Sequence, residues 1–236
     1  MTLADYVEIL QAEHRMERVY PFEFEGKSYW LKQPEHPHGI QRLLKPFSRA
    51  AFRREIQRIK WLILHKAPIP PVKIINSHCL VMEDAGHNVR FWLESDITAA
   101  QKQRILDDCA KALADLHEHG IVHGRPLLKD ILWQDGKVSF IDFEAVSHSH
   151  KLIWQKMRDA LLFIYGVCRE KTTPAQIQRT IDTFVCYEDS RVWHYALALV
   201  KKYRFLYYLL LPFKPLAKTD LLAFYVLFET LLAKFL

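Results

Sequence analysis

Apolar residues first recur at helical spacing at Leu3, Tyr6, Val7 and Leu10, with Thr2 placed to cap them, so residues 2–14 read as a short amphipathic helix. The pattern then changes to that of strands. Residues 18–24 and 28–32 flank Glu25-Gly26-Lys27, a glycine-containing turn suited to a hairpin. Helical spacing returns from Ser48, a candidate N-cap, to about His65, where Phe52, Ile56, Ile59 and Leu62 form one stripe. The run Ala67-Pro68-Ile69-Pro70-Pro71 ends it, because each proline drives its predecessor out of the α region. Residues 72–76 and 78–83 then read as a second hairpin, followed by a turn at Glu83-Asp84-Ala85-Gly86.

Past that turn, helices dominate. Thr98 or Asp96 caps a helix to about Glu118, with Ile105, Cys109, Leu113 and Leu116 on one face and Gly120 ending it. One more hairpin interrupts, folded at Asp135-Gly136 between the apolar runs 131–133 and 138–141. A helix from about Trp154 to Cys168 and a helical tail from Pro174 follow, with breaks near Asp189-Ser190 and at Pro212–Pro215. Strands in front and helices behind predict an α+β chain in two parts, 1–84 and 85–236.

Composition bounds the chemistry. The 236 residues, 50% hydrophobic and 25% charged, are enough for one large core or two small lobes. A net charge of +6 favours anionic partners: nucleotide phosphates, acidic lipid or sugar phosphates. Nucleic-acid binding through the basic helix at 48–66 has only its charge behind it and is not favoured. The four cysteines, Cys79, Cys109, Cys168 and Cys186, lack Cys-x-x-Cys spacing and sit among apolar residues, which predicts buried, reduced thiols in a cytoplasmic protein. The opening MTLADYVEIL has early acids and no basic-then-apolar pattern, so no secretory signal is expected. Pairs such as His117/His119 point apart on a helix and no cysteine joins them, so zinc is not expected. Nucleophile-elbow, Walker and dinucleotide fingerprints are absent from the sequence.

The stretch 121–144, IVHGRPLLKDILWQDGKVSFIDFE, concentrates the remaining chemistry. Its hairpin carries Asp130 and Asp142 at one mouth, and two carboxylates on rigid strand ends suit Mg²⁺, which takes one or two of them plus phosphate oxygens. Taken alone, such acids are more often turn formers. Upstream, Glu55 is the one acid between His36 and Met82, in a segment whose part up to Lys66 carries eight Lys or Arg. Along its own helix it is placed to pair with Arg58, and Lys32 at the end of the second strand reads by itself as a solvated charge.

His123-Gly124-Arg125, Asp130 five residues later, a short hairpin and Asp142-Phe143-Glu144 together resemble the catalytic and metal loops of the protein-kinase-like fold, and most closely those of small bacterial lipopolysaccharide (3-deoxy-manno-octulosonate and heptose) kinases. The resemblance spans about residues 18–168. It implies a bilobal fold with a shortened β-rich N-lobe and a helical C-lobe, ATP and Mg as cofactors, and a sugar, lipopolysaccharide-type or protein hydroxyl as acceptor. Lys32 paired with Glu55 would hold the α and β phosphates, and backbone from about Val81 through Glu83 to Asp84 would meet the adenine. Asp130 and Asp142 would hold the metal. Asp159 would accept bonds from the catalytic-loop backbone, although beside Arg158 it also fits a surface position.

Three positions depart from the family pattern. Arg125 stands where the catalytic Asp belongs, Asp130 where Asn does, and Glu144 where Gly does. No glycine-rich phosphate loop is present, since only Gly26 and Gly39 precede residue 86. A phosphotransferase and a catalytically impaired pseudokinase scaffold are therefore both open. In the first, Arg125 steadies the transferred group and Asp130 or Glu144 orients the acceptor; in the second, Arg125 neutralises Asp130 or Asp142. Finally, residues 201–218 surround a seven-residue apolar run with Lys, Arg and Tyr. That run is too short to cross a bilayer, which takes roughly 18–20 residues. It reads as a core helix or as a peripheral contact with an acidic membrane face.

Overall fold

A computed structural model describes residues 1–34, 48–143 and 151–233. The chain forms two compact units, Met1–Ala85 and Gly86–Leu236. The fold is α+β, with its larger sheet in the first unit and most of its helices in the second.

The first unit comprises α1 (Leu3–Glu13), β1 (Val19–Phe24), β2 (Lys27–Lys32), α2 (Ser48–Leu64), β3 (Val72–Ile75) and β4 (Leu80–Glu83). Thr2 and Asp5 close a capping box at the start of α1, each side chain bonding the other's backbone N–H. Strands pair antiparallel in the order β1-β2-β4-β3. The first turn places Glu25 and Gly26 both at positive φ, 49° and 73°, the backbone that a two-residue hairpin requires. Each face of the sheet carries one helix. Val7 and Leu10 of α1 bury against Phe22, Tyr29, Leu31 and Val81, while Phe52 and Ile56 of α2 bury against Leu80, with Met82 alongside. Strand alternation sorts these residues: Val81 faces α1, and its neighbours Leu80 and Met82 face α2.

The second unit continues with β5 (His87–Asn88), α3 (Val89–Glu94), α4 (Ala99–Glu118), a 3-10 turn (Leu128–Asp130), β6 (Ile131–Gln134), β7 (Lys137–Phe140), α5 (Leu152–Arg169), α6 (Pro174–Tyr187), α7 (Ser190–Lys202), α8 (Arg204–Leu210), a 3-10 segment (Leu211–Leu216) and α9 (Thr219–Leu232). Of the two candidate caps for α4, Thr98 is the one used, in a box with Gln101. Helix α4 packs on α6, and α5 packs on α7 and α9. The hairpin β6–β7 is fixed to the helical layer by two indoles: Trp133 Nε1 donates to Asp108 of α4 at 2.9 Å, and Trp92 Nε1 of α3 donates to the Trp133 carbonyl at 3.0 Å. Gly86 has no room for a side chain, because a Cβ there would lie 2.8 Å from Gln134 Cβ and 2.9 Å from the Trp133 oxygen.

Two expectations need correction. Cys186 is exposed, because the buried stripe of α6 runs through Ile177, Thr180, Ile181 and Phe184 and leaves position 186 on the far side. Residues 203–216 are not a core helix: neither α8 nor the 3-10 segment after it buries a residue. Among the described residues no helix is long and apolar enough to cross a membrane.

Candidate active site

The candidate residues fall in both units. In the first, Leu31 points into the core under α1, so Lys32, the next residue of β2, points to the face covered by α2. Glu55 lies between Phe52 and Ile56 on the stripe with which α2 meets that face. The two periodicities meet in an ion pair between Lys32 Nζ and Glu55 Oε1. Arg18 Nη2 reaches the other carboxylate oxygen, Glu55 Oε2, at 3.6 Å. Val81 is buried in β4, between β2 and β3. The Glu83 carboxylate pairs with Lys73 at 2.8 Å, and the backbone N–H groups of Glu83 and Asp84 donate to the carbonyls of Pro71 and Ser28, both at 2.9 Å. These two donors are engaged inside the unit.

In the second unit, the β6–β7 register pairs Ile131 with Phe140, and the Ile141 N–H extends it by donating to the Asp130 carbonyl at 3.0 Å. Asp130 and Asp142 are thereby brought to the same end of the hairpin. The turn at the other end, Asp135 at φ 50° and Gly136 at φ 84°, is the one that the Asp-Gly pair predicted. Asp142 itself has φ 56°, a left-handed backbone that Asp tolerates better than most residues. Asp130 is buried and Asp142 exposed. Arg125 Nη2 lies 3.9 Å from Asp130 Oδ2. Glu144 lies outside the described residues.

The loop before the hairpin is tied from two sides. His123, fully buried, donates from Nε2 to the Ile141 carbonyl at 2.9 Å and accepts the Arg125 N–H at Nδ1 at 3.3 Å. A carbonyl can only accept and a backbone N–H can only donate, so these partners fix the neutral Nε2–H tautomer. The ring also stacks on Phe143 with centroids 4.7 Å apart. It thus connects the loop to the residues on either side of Asp142.

From below, the fully buried carboxylate of Asp159 on α5 accepts from the His123 N–H at 2.6 Å and from the Gly124 N–H at 2.9 and 3.2 Å. Behind it stands His117 of α4, also buried, with Nε2 at 3.5 Å from Asp159 Oδ2 and Nδ1 bonded to Glu188. Burial by itself would lower the His117 pKa, but hydrogen bonds and charge from Asp159 and Glu188 together outweigh it and hold the imidazole above its ordinary value. His117 and Glu188 escaped the sequence reading. The available signal was phase, since His117 follows Leu113 by four residues and shares its core-facing side.

The sequence profile of the RIO domain matches residues 22–171, a span that takes in Lys32, Glu55, His123, Asp130, Asp142 and Asp159 together. The chain belongs to the RIO domain family. It therefore has a protein-kinase-like fold of the atypical kinase class. An uncharacterized protein of Haemophilus influenzae is similar to it end to end, 42% identical over 232 residues, which cover 98% of this chain and 96% of the relative. Among solved structures, WaaP in complex with acyl carrier protein is similar over 84% of this chain and 92% of that one, with a TM-score of 0.47 and 15% identity. The RIO domain match ends at residue 171, soon after α5, so α6 to α9 lie beyond it.

The donor set bears on the metal. Among the described residues no group of three or more His, Cys, Asp or Glu side chains is arranged to hold a metal ion by itself. Two hard carboxylates at one hairpin end suit Mg²⁺ completed by phosphate and water oxygens.

Proposed function

We propose that this chain is an ATP- and Mg-dependent phosphotransferase, acting on a sugar or lipopolysaccharide-type hydroxyl or on a protein hydroxyl. The observation that carries the proposal is the pairing of Lys32 with Glu55 inside the span that matches the RIO domain. A strand lysine held by a carboxylate on the neighbouring helix is positioned and charged for the α and β phosphates of a nucleotide. Asp130 and Asp142 would hold Mg²⁺, which when bound supplies charge neutralisation on the β and γ phosphate oxygens.

In this reading the chain's own residues mostly position and stabilise. The acceptor oxygen forms a bond to the γ phosphorus as the bond to the ADP oxygen breaks, and charge spreads over the three equatorial oxygens. Arg125, about half exposed beside Asp130, would place its charge toward those oxygens. It cannot take the acceptor's proton, because arginine stays protonated. The Asp130 carboxylate would orient the acceptor hydroxyl, whose proton passes to an oxygen of the transferred phosphoryl group or to water as the new O–P bond completes. A loose transition state needs little help from a base, so the exchange of Asp for Arg at position 125 is compatible with transfer.

One observation favours a second reading. Arg125 and Asp130 already lie within ion-pair distance, and a pair that persists would weaken the metal site. The chain would then be a pseudokinase scaffold that binds nucleotide or membrane without turnover.

The test is nucleotide binding with and without Mg²⁺ for the wild type, Lys32→Ala and Asp142→Asn, alongside γ-phosphate transfer onto lipopolysaccharide-type and protein acceptors. Metal-dependent binding lost in both variants, together with transfer, supports the enzyme. Binding without transfer supports the scaffold, and no binding of nucleotide or metal removes both.

A further inference from the structure

Residues 203–216 are fastened to the helical layer on one side and bare on the other. On the inner side, the Tyr207 hydroxyl donates to Glu229 of α9 at 3.0 Å, Lys214 pairs with the same carboxylate, and the Tyr225 hydroxyl donates to the Leu210 carbonyl. The Tyr207 ring stacks on Phe228. These ties make the segment a built part of the fold. On the outer side Phe205, Tyr208, Leu209, Phe213 and Leu216 are 56%, 59%, 66%, 54% and 80% exposed. So much apolar area concentrated in fourteen residues marks a contact surface.

Charge identifies what covers it. Residues 201–218 contain Lys201, Lys202, Arg204, Lys214 and Lys218 and no acid. The two carboxylates of α9, Asp220 and Glu229, are bonded to Arg169 and to Lys214 with Tyr207. A second copy of this chain docked face to face would set those cations against themselves, which is repulsive. An anionic lipid surface complements both features at once: acyl chains take the leucine and phenylalanine side chains, and phosphates take the lysines and arginine. Tyrosine at the boundary suits the headgroup level. With seven α-helical and six 3-10 residues, the segment is roughly 22 Å long and does not span a bilayer. We infer that the 203–216 face lies in the plane of an anionic bilayer surface, with Phe205, Leu209, Phe213 and Leu216 inserted and Lys202, Arg204 and Lys218 on the headgroups.

This inference stands independently of the phosphotransferase reading. The test is flotation of the full chain with phosphatidylcholine vesicles, with and without phosphatidylglycerol. Two variants accompany the wild type: Phe205→Ser/Leu209→Ser/Leu216→Ser and Lys202→Glu/Arg204→Glu. All five positions are exposed, so both variants should keep the wild-type circular dichroism and unfolding midpoint. The wild type is expected to float only with phosphatidylglycerol present. Each variant should bind at least about tenfold less, and its nucleotide binding should be unchanged. Three results would overturn the inference: no flotation, full binding by the apolar variant, or full binding by the charge variant. So would a wild-type dimer in light scattering that the apolar variant dissociates while vesicle binding is unaffected, because the surface would then belong to a second copy.

Discussion

The Asp159 carboxylate accepts a 2.6 Å hydrogen bond from the backbone N–H of His123, so a charge fully buried in α5 sets the position of the loop that carries Arg125. The same carboxylate takes the Gly124 N–H and faces His117. In Asp159→Asn one accepting oxygen becomes an amide donor pointed at other donors, and the negative charge beside His117 disappears. The expected loss is roughly 2–4 kcal/mol of unfolding free energy, the range for breaking a buried charged network. Urea denaturation measures it, and a loss below about 0.5 kcal/mol, typical of surface substitutions, would count against the network.

Protonation of His117 gives stability a pH dependence of definite sign. Asp159 and Glu188 raise its pKa in the fold above the unfolded value of 6.5. A raised histidine contributes fully below the unfolded value and loses that contribution as pH rises through the folded one. The stability difference between wild type and His117→Gln should therefore be largest below about pH 6.5 and shrink at higher pH. Denaturant midpoints at a series of pH values read this directly, and a difference that grows with pH would contradict the charged triad.

The two groups of candidate residues, one in each unit, were legible to different degrees. Glu55 was conspicuous as an acid alone among eight cations, but only the resemblance of the downstream loops to those of kinases joined it to Lys32, because a strand-end lysine by itself reads as solvated. The hairpin mouth was legible because Asp-Gly selects one turn and the turn sets the register. Asp159 could not be decided, since an Asp among apolar neighbours fits a buried network or a surface equally well. Glu188 was invisible, since its bond to His117 joins residues 71 positions apart and leaves no local pattern. The leucine run at 206–211 misled because an apolar stretch reads the same on the inside and on the outside.

Lys32 should separate binding from folding. Its pair with Glu55 is partly solvated, with side-chain exposures of 12% and 26%, so Lys32→Met is expected to cost only about 1 kcal/mol of stability. Under the proposed function it should weaken Mg-ATP binding by at least about tenfold, the size of one lost charge-assisted contact. Titration calorimetry beside thermal melts would show both effects, and unchanged nucleotide affinity would remove Lys32 from the site.

Thiol reactivity should be confined to one position. Burial pushes the Cys168 thiol up to about 12 and also raises those of Cys79 and Cys109, so all three are poor nucleophiles behind poor access. Cys186 is exposed. Iodoacetamide in native buffer should alkylate Cys186 alone, with the other three reacting only in denaturant, as peptide mapping would show. Rapid labelling of Cys109 would mean that the α4 face opens in the native protein.

Arg125 decides between the two readings of the site. If it stabilises the transferred phosphoryl group, Arg125→Ala removes a contact made mainly in the transition state. Transfer should then fall by about 10²-fold or more, the scale for losing one such donor, while nucleotide affinity stays within a few-fold. If it mainly neutralises Asp130, 3.9 Å away, the same substitution releases a carboxylate for metal and tightens Mg-dependent nucleotide binding, with no transfer in either protein. The phosphotransferase reading predicts the first outcome. Arg125→Lys sharpens the test because it keeps the charge but not the planar fork, so partial transfer in Arg125→Lys above Arg125→Ala is expected if charge on the equatorial oxygens is what Arg125 supplies. Single-turnover transfer assays set beside binding isotherms at varied Mg²⁺ separate the two outcomes.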